Sequence, residues 1–188
     1  MNKTVEVTLY LVRDVPREAS HRVLYDTAED YVGHPFCAAL SAEQAGKPYF
    51  TALPRLFFSI SHSGAYWVCA YAGEPVGIDL QEHRPLSRAG RIAERCFHGR
   101  EREYLASGGS FYDVWAAKES YVKYTGEGIT ASFASFATAG REGLYPAVYF
   151  EPARQGTAAA LRHVDVLPGY SFCVCTEKTC TIRVKSLT

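Results

Sequence analysis

The chain has 188 residues, is 47% hydrophobic, and carries 20 basic against 20 acidic side chains. That length and apolar content can bury a sizeable core, in one domain or two small lobes. The balanced charge gives no bulk attraction to nucleic acid or to an acidic membrane, so an anionic partner has to be met by a local cluster.

No apolar run reaches the 18 or so residues of a membrane span, so no membrane partner is expected. The opening stretch Met1 to Val7 carries Glu6 and alternates like a strand, unlike a signal peptide. Six cysteines (37, 69, 96, 173, 175 and 180) lack zinc-ligand spacing, and the close pair Cys173 and Cys175 has no matching second pair. Thiols used as small apolar residues fit a reducing, cytoplasmic setting.

Val5 to Val12 alternates and reads as a strand, and Arg17 to Tyr31, after Pro16, as an amphipathic helix broken by Gly33 and Pro35. Phe36 to Leu40 has no clear assignment, and Gly46-Lys47-Pro48-Tyr49 is turn-like. Three strands in an antiparallel meander follow, over 56–64, 66–71 and 76–81, with turns at Gly64 and Gly73 to Pro75. Helices are predicted over 87–96, 100–105 and from Phe111, and short strands over 147–150, 161–166, 170–176 and 179–184. This order suggests an α+β fold of two similar halves, 1–75 and 76–188, divided near Gly73 to Pro75.

Three segments can carry chemistry. Asp79 and Gln81, two apart on a strand, face one way and deliver a carboxylate and an amide oxygen. Together with Glu119 they would supply the oxygens a hard cation such as magnesium takes alongside phosphate, although a carboxylate starting a turn is the commoner use of such an aspartate. Ser59-Ile60-Ser61-His62-Ser63-Gly64 offers hydroxyls and an imidazole that can hold a phosphate, and no Gly-x-Ser-x-Gly elbow supports a hydrolase triad there. Arg84, Arg88, Arg91 and Arg95 put at least the last three on one helix face, either a solvated basic face or a dock for an acidic partner.

On the helix opening at Phe111, with Ser110 as N-cap and Gly126 and Gly128 as breakers, Phe111, Trp115, Glu119 and Lys123 form one stripe. Its apolar half suits a core, and its Glu-Lys half is either an ordinary surface pair or a polar site.

Taken together, Gly46-Lys47-Pro48, Phe58-Ser59-Ile60-Ser61-His62-Ser63-Gly64, Val76-Gly77-Ile78-Asp79-Leu80-Gln81, Phe97-x-x-x-Glu101 and Trp115-Ala116-Ala117-Lys118-Glu119-Ser120-x-x-Lys123-x-x-Gly126-x-Gly128 resemble the 4′-phosphopantetheinyl transferase superfamily, in its longer, single-chain, surfactin-synthetase-activating type. The resemblance covers about residues 46 to 136. It implies two α+β lobes related by a pseudo-two-fold, with coenzyme A and Mg2+ in the cleft between them and an apo acyl or peptidyl carrier protein as partner of a monomer. It further implies Asp79 and Glu119, with Gln81, as metal ligands, and Glu101 as an outer-shell or water-holding carboxylate. Lys47, Ser61 and His62 would contact the adenine and 3′-phosphate region, and Lys123 would sit by the pyrophosphate. Glu119 and Lys123 would be catalytic, and Arg88, Arg91 and Arg95 would dock the carrier.

Gln81 stands where such proteins often have Glu. The stretch before Gly46 is short, leaving Arg13, Arg17, Arg22 and His21 as its cations. A catalytically weak coenzyme-A-binding relative and a magnesium-dependent phosphohydrolase stand as the alternative readings.

Overall fold

The structure is a computed structural model that describes residues 4–42, 47–128, 131–151 and 159–187. The chain runs β1 (Val5–Arg13), α1 (Ser20–Val32), β2 (Leu40–Ala42), β3 (Pro48–Phe50), β4 (Phe57–Ser63), β5 (Tyr66–Ala72) and β6 (Val76–Glu82). The helices α2 (Ala89–Cys96), α3 (Gly99–Ala106) and α4 (Phe111–Thr125) follow, then β7 (Phe136–Gly140), β8 (Gly143–Phe150), β9 (Ala160–His163), β10 (Tyr170–Thr176) and β11 (Cys180–Leu187). The fold is α+β, as expected.

Two sheets carry the molecule, one in the order β11-β1-β5-β4 and the other β6-β10-β9-β8-β7. Their inner faces meet over one core, in which Val5, Val7, Leu9 and Leu11 of β1 and Val68 and Ala70 of β5 pack with Val76, Ile78 and Leu80 of β6 and Val174 of β10. The period-2 alternation of β1 is the cause, since it turns every second side chain inward. The outward residues of the first sheet, Tyr10, Trp67, Cys69 and Tyr71, pack with Leu24 and Ala28 of α1. On the far side of the second sheet, Ala116, Ala117 and Val122 of α4 pack with Cys173 and Cys175. The order is helix, sheet, sheet, helix.

The division of the sequence at 75/76 falls where β6 opens the second sheet, but the sheets do not follow it to the end of the chain. β11 returns to the first sheet and lies parallel to β1, with Val5 opposite Cys180 and Val12 opposite Leu187. A hairpin of β2 and β3 occupies part of the stretch given no strand in the sequence reading. β7 also went unforeseen, because all five of its residues are buried and the alternation that marks a half-exposed strand is absent. Arg17 to Ala19 forms a 3-10 turn ahead of α1.

The two edge strands that meet, β4 and β6, are not joined by a backbone ladder. The hydroxyls of Ser59, Ser61 and Ser63 accept from the N–H groups of Ile78, Leu80 and Glu82 at 3.1, 3.0 and 2.9 Å. Serines at every second position of β4 point at every second N–H of β6, and the seam needs that spacing on both sides.

Candidate active site

The pleat of β6 sorts its residues. Val76, Ile78 and Leu80 enter the core, while Gly77, Asp79 and Gln81 take the opposite face, against α4. Gly77 is what lets the helix lie close. A Cβ there would stand 2.0 Å from the Ser120 carbonyl oxygen and 2.4 Å from the Tyr124 nitrogen. Asp79, 2% exposed, therefore sits beside the helix carrying Glu119 and Lys123.

Helix α4 is set by its ends and by one buried pair. Ser110 Oγ accepts from Asp113 N at 3.3 Å, and Gly126 closes the helix in the left-handed conformation at φ 78°. Phe111 stacks on Phe97 at 5.1 Å between centroids and on Trp115 at 5.7 Å, so the apolar half of the stripe is packed. Lys118 and Glu101 are both fully buried, with Nζ 2.9 and 3.1 Å from the two carboxylate oxygens. Burial pushes the Lys118 ammonium below the usual lysine range, and the Glu101 charge opposes this.

Around Asp79 the polar groups converge. Its Oδ1 accepts from Lys123 Nζ at 2.6 Å and from Ser61 Oγ at 2.8 Å, and its Oδ2 accepts from Gln81 Nε2 at 2.7 Å. Glu119, half-buried, has its carboxyl pushed up to about 7, first by burial and then by the Asp79 charge, with Lys123 pulling the other way. A carboxyl near neutrality can accept or release a proton under physiological conditions. Asp79, Glu119 and Gln81 are oxygen donors of the kind a hard divalent cation takes. Among the described residues no cluster of three His, Cys, Asp or Glu side chains gathers. A cation here would therefore complete its shell from water or from phosphate oxygens, which suits magnesium.

Two cavities flank this centre. One, of about 310 Å³, lies between Lys47, Phe58 and Ile60 on one side and Val122, Lys123 and Gly128 on the other. The second, of about 550 Å³, is bordered by His62, Gln81, Arg84, Leu86, Tyr112 and Trp115.

The residues singled out in the sequence are thus only partly brought together. Asp79, Gln81, Glu119 and Lys123 meet. Lys47 and His62 line different cavities, and Lys47 Nζ donates to the Val76 carbonyl at 3.0 Å. Ser61 is 5% exposed and its hydroxyl is used twice inside the chain, toward Asp79 and from Leu80, so the structure employs it as a strut under the carboxylate.

Glu101 likewise keeps no open oxygen. Its Oε1 also accepts from Thr138 N at 2.8 Å and Thr138 Oγ1 at 3.0 Å, and its Oε2 from His98 N at 2.9 Å, closing a capping box at α3. Its place is architectural, holding α3, α4 and β7 together. Arg88 stands at the N-cap of α2, and Arg91 and Arg95 on its exposed side, while Ala93 faces inward. Gly46 of the Gly46-Lys47-Pro48 motif lies outside the described residues.

Sequence reasoning missed the Lys118–Glu101 pair and the serine seam. The signal for the first was a lysine flanked by buried alanines within Trp115-Ala116-Ala117-Lys118-Glu119. For the second it was serine at every other position of a strand.

Known proteins bear the same stamp. Residues 75–175, just over half of the chain, match the family described as the 4′-phosphopantetheinyl transferase superfamily. The 4′-phosphopantetheinyl transferase ffp of Bacillus subtilis is 31% identical over 175 residues, covering 86% of this chain and 76% of the relative. The 4′-phosphopantetheinyl transferase Sfp of Bacillus subtilis strain 168 is 33% identical over 141 residues, covering 72% of this chain and 61% of the relative. The 4′-phosphopantetheinyl transferase psf-1 of Bacillus pumilus is 33% identical over 142 residues, covering 72% and 59%. The chain thus spans about three quarters of the first of these relatives and about three fifths of the other two. The match over 75–175 takes in β6 and α4, the two elements that bring Asp79, Glu119 and Lys123 together, and with relatives similar over most of its length the chain belongs to the 4′-phosphopantetheinyl transferase superfamily.

Proposed function

We propose that the protein transfers the 4′-phosphopantetheine group of coenzyme A to a serine of an apo acyl or peptidyl carrier protein, releasing 3′,5′-ADP. The observation that carries this reading is the meeting of Asp79, Glu119 and Lys123 where β6 and α4 face each other. The serine oxygen forms a bond to the β-phosphorus, and the bond from that phosphorus to the oxygen shared with the α-phosphate breaks. The serine is a poor nucleophile while protonated, and Glu119 takes its proton, directly or through a water. Lys123, one helical turn on, meets the negative charge that collects on the leaving phosphate.

Asp79, Glu119 and Gln81 would hold magnesium. The bound ion would neutralise pyrophosphate charge and align the attack. Lys47 and Lys123, on opposite sides of the first cavity, suit the phosphates and adenine of coenzyme A. His62 borders the second cavity, and we keep it as a contact for the adenine and 3′-phosphate region of coenzyme A.

Arg88, Arg91 and Arg95 form an exposed basic face that suits an acidic carrier helix. Arg88 supports this, because a cation at a helix N-cap opposes the helix dipole and gains nothing for the helix. Six free cysteines accord with a reducing, cytoplasmic setting, and we take the working form to be a monomer. Among the described residues, no helix is long and apolar enough to cross a membrane.

The test incubates the chain with apo carrier, coenzyme A and magnesium and weighs the carrier. A gain of one phosphopantetheine supports transfer. Phosphate release without carrier modification, or coenzyme A binding without any reaction, would overturn it.

A further inference from the structure

The first turn of α4 also reaches across to the segment leaving β6. Tyr112 Oη donates to the Arg84 carbonyl at 2.5 Å and accepts from the Arg84 N–H at 3.2 Å, so one phenol holds both backbone groups of that residue. The His83 ring stacks on the Tyr112 ring, with 5.2 Å between centroids and 24° between planes. His83 Nε2 lies 2.8 Å from Ser171 Oγ, and that hydroxyl donates to Asp113 Oδ1. With the hydroxyl proton committed to Asp113, the imidazole donates from Nε2. The order is therefore imidazole, hydroxyl, carboxylate. It cannot activate the serine, because the imidazole that would act as base is itself the donor. The His83 N–H completes the fastening by donating to the Gly169 carbonyl at 2.8 Å.

These bonds join three pieces of the proposed machinery. They anchor the exit of β6, which carries Asp79 and Gln81, to the start of α4, which carries Glu119 and Lys123. Between these lies the stretch that leads to Arg88 and α2. Arg84, Leu86 and Tyr112 all border the second cavity. Arg84 is exposed, so water could satisfy its N–H and carbonyl as well as the phenol does. The clamp therefore adds little to stability, and its chief effect is to remove the freedom of the segment.

We propose that Tyr112 is a positioning residue for the carrier protein, fixing the Arg84 backbone so that Arg88, Arg91 and Arg95 meet the carrier in a preset arrangement. The proposal rests on the transferase reading above. Tyr112→Phe keeps the ring, its stack on His83 and its contact with Phe111, and removes both hydrogen bonds. The carrier KM should rise roughly three- to tenfold, as ordering a loose segment is shifted onto the binding step. The kcat, coenzyme A affinity and Tm should stay close to wild type, and hydrogen exchange at the Arg84 amide should accelerate. Ser171→Ala, which frees His83 from the other side, should move the same KM in the same direction.

With an active wild type, an unchanged carrier KM in both variants, or a fall in kcat at constant KM, overturns the proposal. A wild-type chain that modifies no carrier refutes the transferase reading and the docking role with it. Arg84 exchange then judges the clamp alone, and an unaltered rate in Tyr112→Phe refutes that too.

Discussion

Replacing Lys118 by methionine would leave the Glu101 carboxylate in a fully buried place without its cation. Both partners are 0% exposed, and Nζ also donates to the Phe136 carbonyl at 2.7 Å and lies 4.1 Å from the Phe136 ring centroid. Methionine keeps the length and most of the volume of lysine, so the change reads charge and hydrogen bonding rather than a cavity. Breaking a buried pair from one side costs about 3–5 kcal/mol. Glu101 retains Thr138 N, Thr138 Oγ1 and His98 N as donors, which puts the expectation near the lower end, about 3 kcal/mol.

For a chain of this size that is a fall in Tm of roughly 6–12 °C. Urea unfolding at constant m would measure it directly. Adding Glu101→Gln removes the stranded charge and should return about half of the loss, giving a positive coupling in the double-mutant cycle. A single-mutant loss below about 1 kcal/mol, or a double mutant no more stable than Lys118→Met, would show that the pair does not hold α4 in the way described.

Other expectations concern the seam, the helix contact, the proton and the docking face. Gly77→Ala puts a methyl against backbone atoms of Ser120 and Tyr124 that cannot rotate away, so it should cost more than the usual 1–3 kcal/mol of overpacking; a Tm within 3 °C or so of wild type would contradict this. Ser59→Ala leaves the buried Ile78 N–H without a partner and should cost about 1–3 kcal/mol with magnesium affinity retained, whereas Ser61→Ala should cost stability and also weaken magnesium binding, since it unseats Asp79. Equal magnesium affinity in the two, by calorimetric titration, would refute that difference.

Glu119 is held above its unfolded value, so its protonated form favours the fold. Its contribution is complete below about pH 4.5 and is lost as pH rises through about 7. Glu119→Gln should abolish transfer and flatten that part of the metal-free stability profile, and an unchanged slope would contradict the assignment. Arg91→Glu with Arg95→Glu should raise the carrier KM and leave coenzyme A binding intact, and unaltered carrier kinetics would remove the docking role.

Much of this fold was legible where periodicity was clean. The alternation of Val5, Val7, Leu9 and Leu11 predicted β1, and Ser110 with Gly126 bracketed α4. The strand β7 was not legible, because burial on both faces erases alternation, and the pairing of β11 with β1 depends on contacts that no local pattern encodes. At the site, the spacing of Asp79 and Gln81 and the stripe with Glu119 and Lys123 alone favoured a turn and an ordinary surface pair, and only the family resemblance pointed to a site. Ser61 and Glu101 were named as candidates, but their employment was not foreseen. A hydroxyl or carboxylate aimed at a ligand and one aimed at a neighbouring backbone look alike in sequence, and only the register of β4 against β6, and of α3 against β7, distinguishes them.

The parallel pairing of β1 with β11 also sets an order of events during synthesis. The ladder partner of Val5 is Cys180, so one side of β1 stays unpaired until the distant β11 segment has also left the ribosome. In that interval the stretch Val5 to Val12 presents an open, largely apolar edge of the kind that templates association between chains. Shortening the protein within 180–187 would make that transient edge permanent. Aggregation rather than a simple loss of activity is then the expected result, and fusions that hold β11 away from β1 should share it.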